Sequence, residues 1–132
     1  MFQNKYVKQI RNNFEQNANY EKGKFLFRNG YYKDVNNGRI SIWFHKKTIE
    51  ITFQFIDILP LEHHETIFDL AVKEQETIHP KIKCAVIAYE YISFLFQKDN
   101  LKEISYFDII NAANNLTAFC NDNIVHLVEK MS

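Results

Sequence analysis

Two runs of alternating side chains, parted by a pair of lysines, constrain this chain more than any other feature. From Arg39 to Phe44 and from Thr48 to Phe55, every second residue is Ile or Phe. With Lys46-Lys47 as a two-residue turn, Phe44 faces Ile49, Ile42 faces Ile51 and Ile40 faces Phe53. The opposite face then pairs Trp43 with Glu50, Ser41 with Thr52 and Arg39 with Gln54. One register satisfies every pair, as a hairpin with one buried face requires, because a slip of one residue would turn the whole apolar set to solvent.

The three glycines, Gly23, Gly30 and Gly38, punctuate the chain on the N-terminal side of this hairpin. Asn36-Asn37-Gly38 reads as a three-residue turn with Gly38 in the left-handed position, which sets Tyr32 against Ile42 and Tyr31 against Trp43. Asn29-Gly30 reads as the next turn and brings Phe27 opposite Tyr32. A four-stranded antiparallel meander from about Lys24 to Ile56 results. Phe25, Phe27, Tyr32, Ile40, Ile42, Phe44, Ile49, Ile51, Phe53 and Phe55 form its inner face. This register turns Asp34 inward, where it reads as a turn cap rather than a catalytic base.

Helical periodicity flanks the meander. Phe2, Tyr6, Ile10 and Phe14 recur every four residues, an N-terminal amphipathic helix. A second helix runs from Pro60 to about Ile78 and is broken by His79-Pro80. A third, Lys81 to Gln97, is apolar almost all round and is expected to be buried. Ser105 to Asp108 reads as a capping box. A long helix follows, its face formed by Ile109, Ala113, Leu116, Cys120, Ile124, Leu127 and Met131. Segregated strands and helices predict an α+β class: one domain over residues 1–132, with three helices after the meander packed on one sheet face.

Charge is divided along the chain. Residues 1–47 hold ten Lys and Arg against three acids, a net +7, and residues 48–132 hold six Lys against thirteen acids, a net −7. Such lobes steer a charged partner or neutralise one another, which a uniformly neutral surface cannot do. Hydrophobic residues make up 46% of the chain, enough for a core and contrary to disorder. The N-terminus lacks the apolar core of a signal peptide, and no run is long enough to span a bilayer, so a cytoplasmic chain without a membrane partner is expected. Cys84 and Cys120 fall in helical apolar patterns and read as reduced core thiols.

Motifs for enzymatic chemistry are missing. The glycines are used in turns, leaving no phosphate loop, dinucleotide fingerprint or nucleophile elbow. Glu62-His63-His64-Glu65 resembles a metal cluster only in one dimension: adjacent residues on a helix point apart, whereas chelation needs spacings of three or four. Cys120 and His126 lie on different helical faces, and a buried thiol is a poor nucleophile. No enzyme, cofactor or metal is therefore expected. Two surfaces stand out instead. Glu62, Glu65, Asp69 and Glu76 form an acidic helix stripe interrupted by Lys73. The outer sheet face carries Arg28, Tyr31, Lys33, Arg39, Trp43, His45 and Glu50, among them the residue types that dominate binding hot spots. Exposure of that face is the favoured reading over its burial by the N-terminal helix.

In overall character, a small, glycine-poor α+β chain without motifs and with an acidic helix stripe resembles the bacterial immunity proteins of contact-dependent growth inhibition systems. The resemblance spans the chain but rests on no signature motif and carries over no site residue. It implies stoichiometric occlusion of a cognate toxin domain, a nuclease where the acidic stripe is used, without catalysis. Glu62, Glu65, Asp69 and Glu76, or Arg28, Tyr31, Arg39, Trp43 and Glu50, would then meet the toxin. The alternative occupant of the sheet face is a single-stranded nucleic acid, with Tyr31 and Trp43 stacking on bases and Lys24, Arg28, Lys33 and Arg39 neutralising phosphates. No RNA-binding motif accompanies it, and the protein partner is favoured.

Overall fold

A computed structural model describes residues 5–17, 19–25, 28–45, 47–97 and 102–130, with the side chains of residues 24, 25, 28 and 29 left out of that description. The order is α1 (Lys5–Glu15), β1 (Glu21–Phe25), β2 (Arg28–Val35), β3 (Gly38–Phe44), β4 (Thr48–Phe55), α2 (His64–Ile78), β5 (Ile82–Ile87), β6 (Tyr91–Gln97) and α3 (Tyr106–Asn123). A single antiparallel sheet runs β1-β2-β3-β4-β6-β5. The class is α+β, as expected, but with six strands and three α-helices among the described residues.

The β3–β4 hairpin has the expected register at every position, from Phe44 opposite Ile49 to Arg39 opposite Gln54. The strand before it is shifted. Asn37 takes the left-handed conformation at φ 66°, so the turn is Asn36-Asn37 alone and Val35 pairs with Gly38. Asn tolerates that conformation, which releases Gly38 to the strand. There a Cβ would collide with the Gln54 carbonyl and the Phe53 ring. The consequence is a one-residue slip: Tyr31, not Tyr32, lies opposite Ile42, and Tyr32 lies opposite Ser41. Tyr31 therefore points into the core, while Asp34 points outward and bonds Arg39. Asn29-Gly30 is not a turn either, because Phe25 pairs with Arg28 and both residues lie within β2. Phe27 and the side chain of Phe25, expected on the inner face, lie outside the described residues.

The third expected helix, Lys81 to Gln97, is instead the β5–β6 hairpin. Ile92, Phe94 and Phe96 alternate with Ser93 and Leu95 and bury their side chains against Ile51 and Ile49 of β4. The Ala88 N–H bonds the Tyr91 carbonyl at 2.8 Å and closes the turn. Short, apolar, β-branched and aromatic runs are ambiguous between buried helix and buried strand, and here pairing with β4 settles the matter. Cys84 is accordingly a strand residue. The Cys84 N–H donates to Gln75 Oε1 of α2 at 3.0 Å, so α2 satisfies one donor of the β5 edge of the sheet.

Helices pack on the face that carries Ile42, Ile51 and Phe94. Ile109, Ala112, Ala113, Leu116 and Cys120 of α3 are fully buried there. Ser105 and Asp108 form the expected reciprocal capping box. The C-terminal helix is shorter than its pattern suggested: it ends at Asn123, Val125–Leu127 form a 3₁₀ turn, and Glu129 bridges to Ile58. Met131 lies outside the described residues. Val7, Ile10 and Phe14 anchor α1 on the same inner face, with the Phe14 ring stacked 5.4 Å from Tyr31 and edge-on to Tyr106 at 4.8 Å. Phe2, expected in this helix, also lies outside the described residues.

One core group is unsatisfied. The Tyr20 hydroxyl is buried without a hydrogen-bond partner among the described residues, and burial pushes its pKa up to about 12. An orphaned buried donor costs roughly 1–3 kcal/mol. Tyr20→Phe is therefore expected to raise stability by about 1 kcal/mol in urea titration. A loss of stability would show that the hydroxyl is bonded.

Candidate partner-binding surfaces

Among the described residues no helix covers the outer face of the sheet, although Ser41, Thr52 and Ser93 at its centre are buried between taller neighbours. Its centre is a row of small hydroxyl side chains crossing three strands: Ser41, Thr52 and Ser93 are mutual neighbours in register. Taller rows rise on both sides, Trp43 and Glu50 on one and Arg39, Gln54 and Tyr91 on the other. Short side chains between tall ones make a groove of about 760 Å³, with Tyr32 at its β2 end. Trp43 lies across Gly30, where a Cβ would sit 2.5 Å from the indole ring. That close approach explains why Gly30 stands inside a strand.

The groove contains both charge signs, each held in place. Glu50 accepts from Thr52 Oγ1 at 3.2 Å and lies 2.7 Å from His45 Nε2. The His45 hydrogen bond outweighs partial burial and holds the Glu50 carboxyl below its ordinary range, so it is ionised at neutral pH. Arg39 donates to Asp34 at 2.8 Å and stacks over the Tyr32 ring at 4.3 Å. The arrangement suits recognition of polar and aromatic groups through fixed partners.

Of the sheet-face residues expected from sequence, Arg39, Trp43 and Glu50 come together here. Tyr31 does not: the slipped register buries it, and its hydroxyl donates to Glu15 of α1. Burial, with that bond to Glu15, pushes its pKa up to about 12. Lys33 also turns to the inner face, its ammonium 5.0 Å from the Tyr20 ring centre. The Arg28 side chain lies outside the described residues. Ser41 and Thr52 stand on this face as the hairpin register predicts, whereas Tyr32, Tyr91 and Ser93 are additions that the sequence reading does not place here. Tyr91 and Ser93 were hidden by the helical reading of their segment, although the alternation of Ile92, Phe94 and Phe96 was a visible signal.

Glu62 lies in a 3₁₀ turn and Glu65, Asp69 and Glu76 on α2; all four are exposed, as is the interrupting Lys73. The stripe belongs to the helical layer and does not line the groove. His64 is half-buried, 2.9 Å from the Leu59 carbonyl and edge-on to Tyr89, while His63 leans toward Glu62. No group of three or more His, Cys, Asp or Glu suited to a metal occurs among the described residues. Burial pushes the Cys84 thiol up to about 12 and Cys120 well above its ordinary value, so neither is an activated nucleophile.

Among the described residues no helix is long and apolar enough to cross a membrane. No protein-family model matches the chain, and no curated protein matches it significantly.

Proposed function

We propose that the chain is a cytoplasmic immunity protein, which neutralises a cognate toxin domain, a nuclease, by stoichiometric occlusion. The observation that carries this reading is the sheet face that no helix covers among the described residues, with its hydroxyl-floored groove walled by Trp43, Glu50, Arg39 and Tyr91. Aromatic and Arg side chains around a polar floor are the residues from which binding hot spots are built. The acidic stripe Glu62, Glu65, Asp69 and Glu76 adds long-range attraction for a cationic nuclease, since such charges act chiefly on the association rate. A single-stranded nucleic acid is less well served: Tyr31 and Lys33 face inward, and ionised Glu50 stands in the groove beside Trp43.

Co-expression with a toxin domain encoded beside this chain is the test. Trp43→Ala is expected to weaken binding by about 2–4 kcal/mol and to abolish protection. Reversal of the four stripe acids should slow association with little effect on dissociation. Full protection by both variants would overturn the reading.

A further inference from the structure

Residues 48–72 and 84–97 contain no Lys or Arg but hold Glu50, Asp57, Glu62, Glu65, Asp69 and Glu90. The described residues include eight large exposed hydrophobic side chains, and seven lie in these same two segments; Phe107 is the exception. Coincidence of acidic side chains, without Lys or Arg in the same segments, and exposed apolar surface is unusual, because solvated acidic faces need no hydrophobic residues and large exposed apolar patches mark interaction sites.

The fold joins the two segments. The Leu59 N–H bonds the Tyr89 carbonyl and the Phe55 N–H bonds the Glu90 carbonyl, both at 2.7 Å. The Tyr89 ring packs 5.0 Å from His64 at the start of α2. From there Phe68 and Val72, four residues apart, continue along one side of the helix, with Leu61 seven residues before Phe68. Leu61 is 63%, Phe68 39%, Val72 42% and Tyr89 48% exposed. An apolar ridge thus runs from the β5–β6 turn along α2, bordered by Glu62, Glu65 and Asp69.

We propose that this ridge docks a basic amphipathic helix of the partner protein, its apolar side on Phe68, Val72, Leu61 and Tyr89 and its Lys or Arg side chains against the bordering acids. The proposal rests on the protein-partner reading and specifies a second contact for it. Charge complementarity selects this occupant. A second copy docked through this same face would bring acids against acids, and nucleic acid and anionic lipid surfaces are repelled for the same reason. A helix laid in an apolar seam with charged flanks is a standard recognition mode.

The probe is a synthetic 18-residue amphipathic helical peptide of Leu and Lys, titrated into the isotope-labelled full chain and followed by NMR. Saturable shifts confined to residues 56–76 and 88–91 are expected, with affinity falling as salt is raised. Phe68→Asp combined with Val72→Asp should weaken binding at least tenfold, while Trp43→Ala leaves it unchanged. A Leu–Glu version of the peptide should not bind. Absent binding, equal binding of the Leu–Glu peptide, shifts mapping to the sheet groove, or indifference to the double variant would each overturn the proposal. So would a dimer of this chain that the double variant dissociates. If the ridge fails these tests while Trp43→Ala still abolishes toxin protection, only the ridge is wrong. Retained protection by Trp43→Ala and by the acid-reversed chain would instead remove the immunity reading.

Discussion

Phe14→Ala is expected to lower stability by about 3–5 kcal/mol, the range for deleting a fully buried aromatic side chain. Phe14 is 1% exposed and meets four other rings: Tyr20, Tyr31, Phe44 and Tyr106, with centroids 4.8 to 6.1 Å away. Those rings belong to the loop after α1, to β2, to β3 and to α3, so the cavity would loosen four elements at once. Aromatic pairs of this geometry also contribute about 0.5–1.5 kcal/mol each beyond their buried area. Chemical denaturation with CD detection measures the loss. A value under about 1 kcal/mol, typical of surface substitutions, would mean that α1 is not docked on the inner face. Tyr31→Phe provides a control, since it keeps the ring and removes only the hydroxyl with its bonds to Glu15 and Arg11.

Ile42→Ala and Ile51→Ala should each lower stability by about 2–5 kcal/mol. The two residues are direct cross-strand partners, both fully buried at the centre of the sheet. Their double mutant should deviate from additivity, because neighbours share the cavity that each substitution opens. Trp43, one position from Ile42 and on the opposite face, should cost distinctly less on truncation to Ala. Equal losses from all three would contradict the placement of Trp43 in the solvent-facing groove. Together with the binding assay this separates the expected effects: the isoleucine variants lose stability, and Trp43→Ala is expected to lose partner affinity with a smaller loss of stability.

Much of the geometry of the candidate surfaces could be read from local patterns where one face of an element is buried and the other is not. Arg39, Trp43 and Glu50 were placed on one face by the alternation of their strands, because any other register would have exposed Ile42 and Ile51. The exposed stripe Glu62, Glu65, Asp69 and Glu76 followed from helical spacing in the same way. Tyr31 was misplaced by the difference between a two-residue and a three-residue turn. Both Asn37 and Gly38 can adopt the left-handed conformation, and the sequence offers no local means of choosing between them. The choice is made by the partner strand, where the Gln54 carbonyl and the Phe53 ring leave no room for a Cβ at Gly38.

By itself, then, the sequence determined the β3–β4 register, the capping box at Ser105, the end of α2 at Ile78 and the α+β class, all of which follow from periodicity and capping within short windows. The start of α2 is at His64, after a 3₁₀ turn, rather than at Pro60. Tertiary structure alone decided that residues 82–97 form two strands, that α1 covers the inner face, and that Tyr91 and Ser93 complete the groove. The physical reason is that an all-round apolar segment satisfies its side chains equally well as a buried helix or a buried strand. Its backbone conformation is settled by the open edge of β4, whose N–H and C=O groups need partners that only another strand supplies.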